Sequence, residues 1–108
     1  MDKGEIWVVN LSSGRGNEQS GSRPCLILGN IKTNLVTIVP LTSNLEALRF
    51  PYTLEIKSSE KNGLESDSIA LVFQLQAIDK RRLIKKIGIV EKYFLEDINK
   101  RLRSMLQL

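Results

Sequence analysis

The sequence predicts a mainly β fold with helices (α+β), in which several short strands bend into a small barrel and one C-terminal amphipathic helix covers it. Three observations predict it. Runs of strand-forming residues recur through the first three quarters of the 108-residue chain. Polar clusters rich in Gly, Asn and Ser punctuate them. Near the C-terminus the apolar spacing then changes from a period of about two to about 3.6.

Glu5-Ile6-Trp7-Val8-Val9-Asn10-Leu11 reads as the first strand, with Trp7 a core or interface residue. Leu26-Ile27-Leu28 and Leu35-Val36-Thr37-Ile38-Val39 follow as a hairpin around the turn-forming residues Gly29 to Asn34. Pro40, lacking an N–H, fits an edge or a bend rather than a central ladder. Tyr52-Thr53-Leu54-Glu55-Ile56 alternates cleanly and predicts a half-buried strand, and Ser58 to Gly63 is a polar turn. Ser68 to Phe73 and Leu75 to Ile78 predict two more short strands around a bend. In the last segment Phe94, Leu95, Ile98, Leu102, Met105 and Leu106 share one helical face, and Glu96 and Lys100 stand as an i,i+4 pair in the favourable order. No repeat or linker divides the chain, so residues 1–108 are expected to form a single domain.

Composition narrows the chemistry. The single cysteine, Cys25, excludes an internal disulfide and sits in an apolar run, where it reads as a small buried hydrophobe. Histidine is absent, which removes the commonest general base and every Ser-His or Cys-His nucleophile pair, and no Cys/His cluster offers a zinc site. The residues predict no metal and no cofactor; any catalysis must use Arg, Lys, carboxylates, hydroxyls or backbone groups. No apolar run is long enough to span a bilayer, and the expected setting is soluble and cytoplasmic. The formal charge of +4 is unevenly spread: residues 79–108 hold nine Lys/Arg against four Asp/Glu (+5), and residues 1–78 hold seven against eight (−1). That basic end favours an anionic partner, with nucleic acid the natural candidate and a solvated helix face the bland alternative.

The most informative local feature is Gly21-Ser22-Arg23-Pro24, between a polar loop and an apolar run. Proline biases the preceding residue towards extended geometry, so Arg23 is held at the mouth of a sheet, where a guanidinium can offer parallel donors to a phosphate. A second polar cluster, Pro40-Leu41-Thr42-Ser43-Asn44, ends the next strand.

In order along the chain, Gly4-Glu5-Ile6-Trp7, Gly16-Asn17-Glu18-Gln19-Ser20-Gly21-Ser22-Arg23-Pro24, Val39-Pro40-Leu41-Thr42-Ser43, Gly63-Leu64-Glu65-Ser66-Asp67-Ser68 and Ile78-Asp79-Lys80-Arg81-Arg82-Leu83 resemble the MazF/PemK family of toxin endoribonucleases over nearly the whole length. The resemblance implies an SH3-like barrel, a homodimer, and metal-independent cleavage of single-stranded RNA at short sequence motifs. It also implies a cognate antitoxin whose partly disordered, acidic segment covers the RNA groove. It casts Arg23 and Thr42 as the catalytic residues, and matches Glu18, Gln19, Ser20 and Gln74 to positions that shape the groove. Two departures stand out. The loop histidine and arginine-x-aspartate pair of the PemK-like plasmid branch correspond here to Asn17, Leu71 and Phe73, so that mechanism does not transfer. Many relatives carry an arginine where this chain has Gln76.

RNA cleavage needs no external nucleophile, because the 2′-hydroxyl can attack the adjacent phosphorus. On this reading Arg23 stabilises the developing charge, a contribution of ~3 kcal/mol for a well-placed donor, and Thr42 donates its hydroxyl and aligns the linkage. Arginine is a poor base at its normal pKa, and Glu18 is the nearest carboxylate in sequence. Asn17, Glu18, Gln19, Ser20, Ser43, Gln74, Gln76 and Lys80 are the candidate substrate-binding residues; plain solvation of loops and of a basic turn is the alternative for each. Asp67-Ser68 reads as a turn closure, and Trp7 and Phe50 as core or dimer contacts. The competing reading is a non-catalytic module on the same barrel, either a CcdB-like toxin or a general nucleic-acid-binding domain. The latter is disfavoured by the scarcity of stacking aromatics, one Trp, two Tyr and three Phe.

Overall fold

The computed structural model describes residues 1–11, 21–31 and 33–108. Asn17, Glu18, Gln19 and Ser20, four of the candidate substrate-binding residues, lie outside the described residues. Among the described residues, seven strands build one antiparallel sheet: β1 (Glu5–Asn10), β2 (Ser22–Asn30), β3 (Leu35–Thr42), β4 (Thr53–Ile56), β5 (Ser68–Leu71), β6 (Gln76–Asp79) and β7 (Leu83–Ile89). They run in the order β4-β5-β3-β2-β1-β7, with β6 paired to β3 off that path. The terminal strands of the path, β4 and β7, are not bonded to each other, so the expected α+β fold takes the form of a bent, open sheet with one helix, α1 (Lys92–Leu106).

Strand β3 organises the sheet. Its first half, Leu35 to Ile38, pairs with β6, and its end, Leu41 and Thr42, pairs with β5. Pro40 stands in the gap between those two ladders, where its missing N–H leaves no bond unmade. It marks the bend where β3 changes partner, while on the other side it pairs in register with Cys25.

Alternation along the strands feeds two cores. Ile6, Leu26, Val39 and Leu41 pack with Ile56, Ala70, Val72 and the helix residues Phe94 and Ile98. Val9, Cys25, Ile27, Val36 and Ile38 point the other way and pack with Ile78, while Trp7, Leu11 and Leu83 pack partly buried against them. Neighbouring residues of β2 therefore serve opposite cores, as the period of a strand requires. Burial pushes the Cys25 thiol up to about 12, against a smaller opposing pull from Arg23, which fits a packing role. Truncating Phe94 would cost ~3–5 kcal/mol by the usual cost of emptying an aromatic core position.

The differences from the sequence reading have physical causes. β7, LIKKIGI, is not foreseen, because Lys85-Lys86 interrupts alternation on an edge strand that is largely exposed. The 3-10 turn Leu45–Arg49 is likewise new; the Asn44 side chain caps it by accepting from the Glu46 N–H at 3.1 Å. Val72 and Phe73 leave the strand for another 3-10 turn, Val72–Gln74. On α1, Phe94 and Ile98 are buried and Leu95, Leu102 and Met105 pack on the core, but Leu106 in the last turn is exposed. Glu96 and Lys100 do not close an ion pair, since two solvated side chains gain little by meeting. No helix among the described residues is long and apolar enough to cross a membrane.

Candidate active site

The β2–β3 ladder pairs Ile27 with Ile38, Leu26 with Val39 and Cys25 with Pro40. Two residues further along that register, Arg23 comes level with Thr42. On its other side β2 pairs with β1, Arg23 against Val9 and Pro24 against Val8. Both predicted catalytic residues thus sit at the same end of adjacent strands, and they line one cleft of about 540 Å³.

The cleft lining is mixed, with apolar Val8, Pro24, Leu41, Leu64 and Ile87 beside polar Ser22, Ser43, Glu65, Ser66 and Lys85. Arg23 is exposed, and among the described residues no carboxylate pairs with it. Its five donors are available to an anion. Thr42 is half-buried, and its Oγ1 accepts from the Asn44 N–H at 3.2 Å. That bond uses a lone pair and fixes the oxygen, leaving the hydroxyl proton to be donated.

The wall carrying Leu64, Glu65 and Ser66 is held from behind by Asn62, which is fully buried. Its Oδ1 accepts from the Ser59 and Leu64 N–H groups at 3.0 and 3.1 Å, and its Nδ2 donates to the Lys57 carbonyl at 2.9 Å and Glu91 at 3.2 Å. Gly63 adopts φ +73°, and a Cβ there would collide with the Ile87 carbonyl, so only glycine lets this wall lie against β7. Asp67 and Ser68 act as the expected turn closure: Asp67 Oδ1 accepts from the Ser58 N–H at 2.9 Å, and Ser68 Oγ donates to the Ser66 carbonyl at 3.0 Å.

Of the candidate substrate-binding residues, Ser43 joins Arg23 and Thr42 in the cleft. Gln74, Gln76 and Lys80 do not line it. Gln76 pairs with Ile38 on β3, four residues before Thr42, which is roughly 13 Å along a strand. The Gln76 amide donates to the Gln74 carbonyl at 3.2 Å, and Lys80 begins the 3-10 turn Lys80–Arg82. Phe50 is exposed rather than core; its ring meets Phe73 at 5.8 Å between centroids and carries the Arg49 guanidinium over it at 5.0 Å. Trp7 is half-buried and donates from Nε1 to Glu5 Oε1 at 2.8 Å.

Sequence reasoning missed Glu65, Ser66 and Lys85 as cleft residues. The first two stand inside the Gly63–Ser68 block, so a signal existed. Lys85 had none, because it enters through the pairing of the unforeseen β7. Among the described residues, no group of three or more Cys, Asp or Glu is arranged to hold a metal.

The same sheet and helix occur in the crystal structure of MazF from Deinococcus radiodurans, with a TM-score of 0.79 at 24% identity over 100% of this chain and 97% of that one. A second crystal structure, of MazE-MazF from the same organism, superposes with a TM-score of 0.79 at 24% identity over 100% of this chain and 96% of that one. The fold is therefore of the MazF type. Residues 2–106 match the family described as PemK-like, MazF-like toxin of type II toxin-antitoxin system, and the chain belongs to that family. It is 32% identical to endoribonuclease MazF9 of Mycobacterium tuberculosis, over 100% of this chain and 98% of the relative.

Proposed function

We propose that this chain is the toxin of a type II toxin–antitoxin pair, an endoribonuclease that cuts single-stranded mRNA at short motifs in the cytoplasm without a metal ion. The observation that carries the reading is that Arg23 and Thr42, far apart in sequence, line one open cleft whose Arg23 guanidinium has no carboxylate partner among the described residues. Membership of the family and the endoribonuclease name of its M. tuberculosis relative support it.

In this mechanism the 2′-hydroxyl attacks the neighbouring phosphorus and the 5′-oxygen leaves, producing a 2′,3′-cyclic phosphate. Arg23 donates to the phosphoryl oxygens as their charge grows, worth ~3 kcal/mol for a donor aimed at the transition state. Thr42 donates its hydroxyl to the same group, with its oxygen fixed by Asn44, and Ser43 adds to the polar lining. RNA enters as a single strand because an A-form duplex hides its base edges. Gln74, Gln76 and Lys80 serve the strand further along the sheet, and Asn17, Glu18, Gln19 and Ser20 remain substrate-binding candidates by their place in the sequence motif. The partner reading is a homodimer held inactive by an antitoxin with an acidic, partly disordered segment; the MazE-MazF crystal structure from D. radiodurans supports a toxin–antitoxin assembly on this fold.

The test is incubation of purified chain with mixed-sequence RNA in EDTA. Discrete fragments whose 5′ pieces end in a 2′,3′-cyclic phosphate are expected. Cleavage that requires added magnesium would reject the mechanism.

A further inference from the structure

We propose that Lys85 forms a second phosphate-binding subsite of the cleft, holding the RNA phosphate next to the one being cut. This rests on the ribonuclease reading above and extends it to a residue outside the sequence motifs that carry that reading.

Lys85 lines the cleft together with Arg23 and Thr42. Its position follows from β1, which lies between β2 and β7: Val8 pairs with Pro24 on one side and with Lys85 on the other. Lys85 is therefore two strand spacings, about 10 Å, from the Arg23-Pro24 step. A long, flexible ammonium at that separation can meet a neighbouring phosphate of an extended strand while Arg23 meets the scissile one.

The β1–β7 ladder carries irregularities on both sides of this position, between Ile6 and Trp7 and between Val8 and Val9. Trp7 pairs with Lys86, Val8 with Lys85 and Val9 with Leu83, so Ile84 and Ile87 are skipped. Bulges re-aim side chains on an edge strand, and these two bracket the lysine pair. The two lysines have different fates. Lys86 reaches Glu5 at 3.5 Å, whereas among the described residues Lys85 has no carboxylate partner, although Glu65 lines the same cleft. Among the described residues, the ionic side chains lining the cleft are thus two cations, Arg23 and Lys85, against one carboxylate. An exposed ammonium lining a cleft, without a carboxylate partner among the described residues, is suited to a diffusible polyanion.

Steady-state cleavage of a fluorogenic mixed-sequence RNA across a salt series tests this on Lys85→Gln, Lys85→Arg and Lys100→Gln, the last removing one charge from α1 away from the cleft. Lys85→Gln is expected to raise KM about fivefold with kcat within about twofold, the signature of lost uniform binding. It should also reduce the slope of log(kcat/KM) against log salt by about 0.7, one contact on a single strand. Lys85→Arg and Lys100→Gln should keep the wild-type KM and slope. An unchanged KM and slope in Lys85→Gln, or the same change in Lys100→Gln, overturns the subsite and leaves the ribonuclease reading intact. A wild-type chain that cuts no RNA overturns that reading and the subsite with it.

Discussion

The Asn62 side-chain amide donates to the Glu91 carboxylate across 3.2 Å, joining two residues 29 apart in sequence. Glu91 also accepts from Ser59 Oγ at 2.6 Å, so one carboxylate at the start of α1 anchors the turn that builds the cleft wall. Asn62 satisfies both ends of its amide within that turn and leaves no buried side-chain polar atom unpaired there. The wall of the candidate active site is therefore tied to the start of the helix, whose Phe94 and Ile98 share a core with Leu64.

Asn62→Leu keeps the branching of the side chain and removes the four hydrogen bonds of the Asn62 amide. The Lys57 carbonyl and the Ser59 and Leu64 N–H groups lose their partner, which should cost ~2–4 kcal/mol in equilibrium denaturation. Cleavage should fall further than the folded fraction does, because Leu64 to Ser66 would no longer be held against β7.

Acid sensitivity should pass through Glu91. Its carboxyl is held below the ordinary value of 4.5, first by the Ser59 hydrogen bond, with burial opposing and Asn62 and Lys61 assisting. A group whose folded value is depressed stabilises the fold fully above its unfolded value and loses that contribution as pH falls through the folded one. Glu91→Gln should therefore lose less Tm than wild type when pH drops from neutral to below 4.5, the unshifted value. Parallel melting curves across that window would refute the assignment.

Arg23→Ala should cut the cleavage rate by roughly 100-fold or more with a much smaller change in RNA affinity. Thr42→Val, nearly isosteric, should lose rate without losing Tm. Because the two residues line one cleft, the double variant should lose less than the product of the single losses, measured by single-turnover kinetics.

Cys25 should resist alkylation in the folded chain. Its thiol stays protonated at neutral pH, pushed up to about 12, and it is fully buried. Iodoacetamide labelling should proceed only after unfolding, and rapid labelling of native protein would show that the second core is open.

Sedimentation at micromolar concentration should report about twice the 12.2 kDa chain mass. Leu45, Leu48, Phe50 and Phe73 are exposed apolar side chains, the kind of surface a second copy would cover. A monomer would remove the homodimer from the proposed function.

The legible part of this protein was whatever short-range chemistry dictates. Alternation marked residues 52–56, strand-forming side chains marked residues 35–39, and the helical period marked α1, with Leu106 alone of its apolar face exposed. Arg23 and Thr42 were legible because Arg-Pro and Pro-Leu-Thr are local patterns, and the β2–β3 register then brought them level. Lys85 and Asn62 were not. The role of Lys85 depends on β7, whose Lys-Lys pair hides its strand character, and that of Asn62 on a contact with a helix begun much later in the chain. Gln76 and Lys80 show the converse: polar loop chemistry was visible, but not its distance from the cleft.

Pro40 sets the phase of Thr42 against Arg23. Just beyond it β3 leaves β6 for β5, and Thr42 is two residues further on. A strand can slip only by re-forming its bonds one step along, and each single step turns every side chain to the opposite face. A residue without an N–H at the junction removes one of the bonds a slipped ladder would need. A one-residue insertion between Pro40 and Thr42 would thus turn the hydroxyl away from Arg23. The constraint that the proline imposes is consequently one of residue count, separate from the packing that buried Val36, Ile38 and Val39 demand before it.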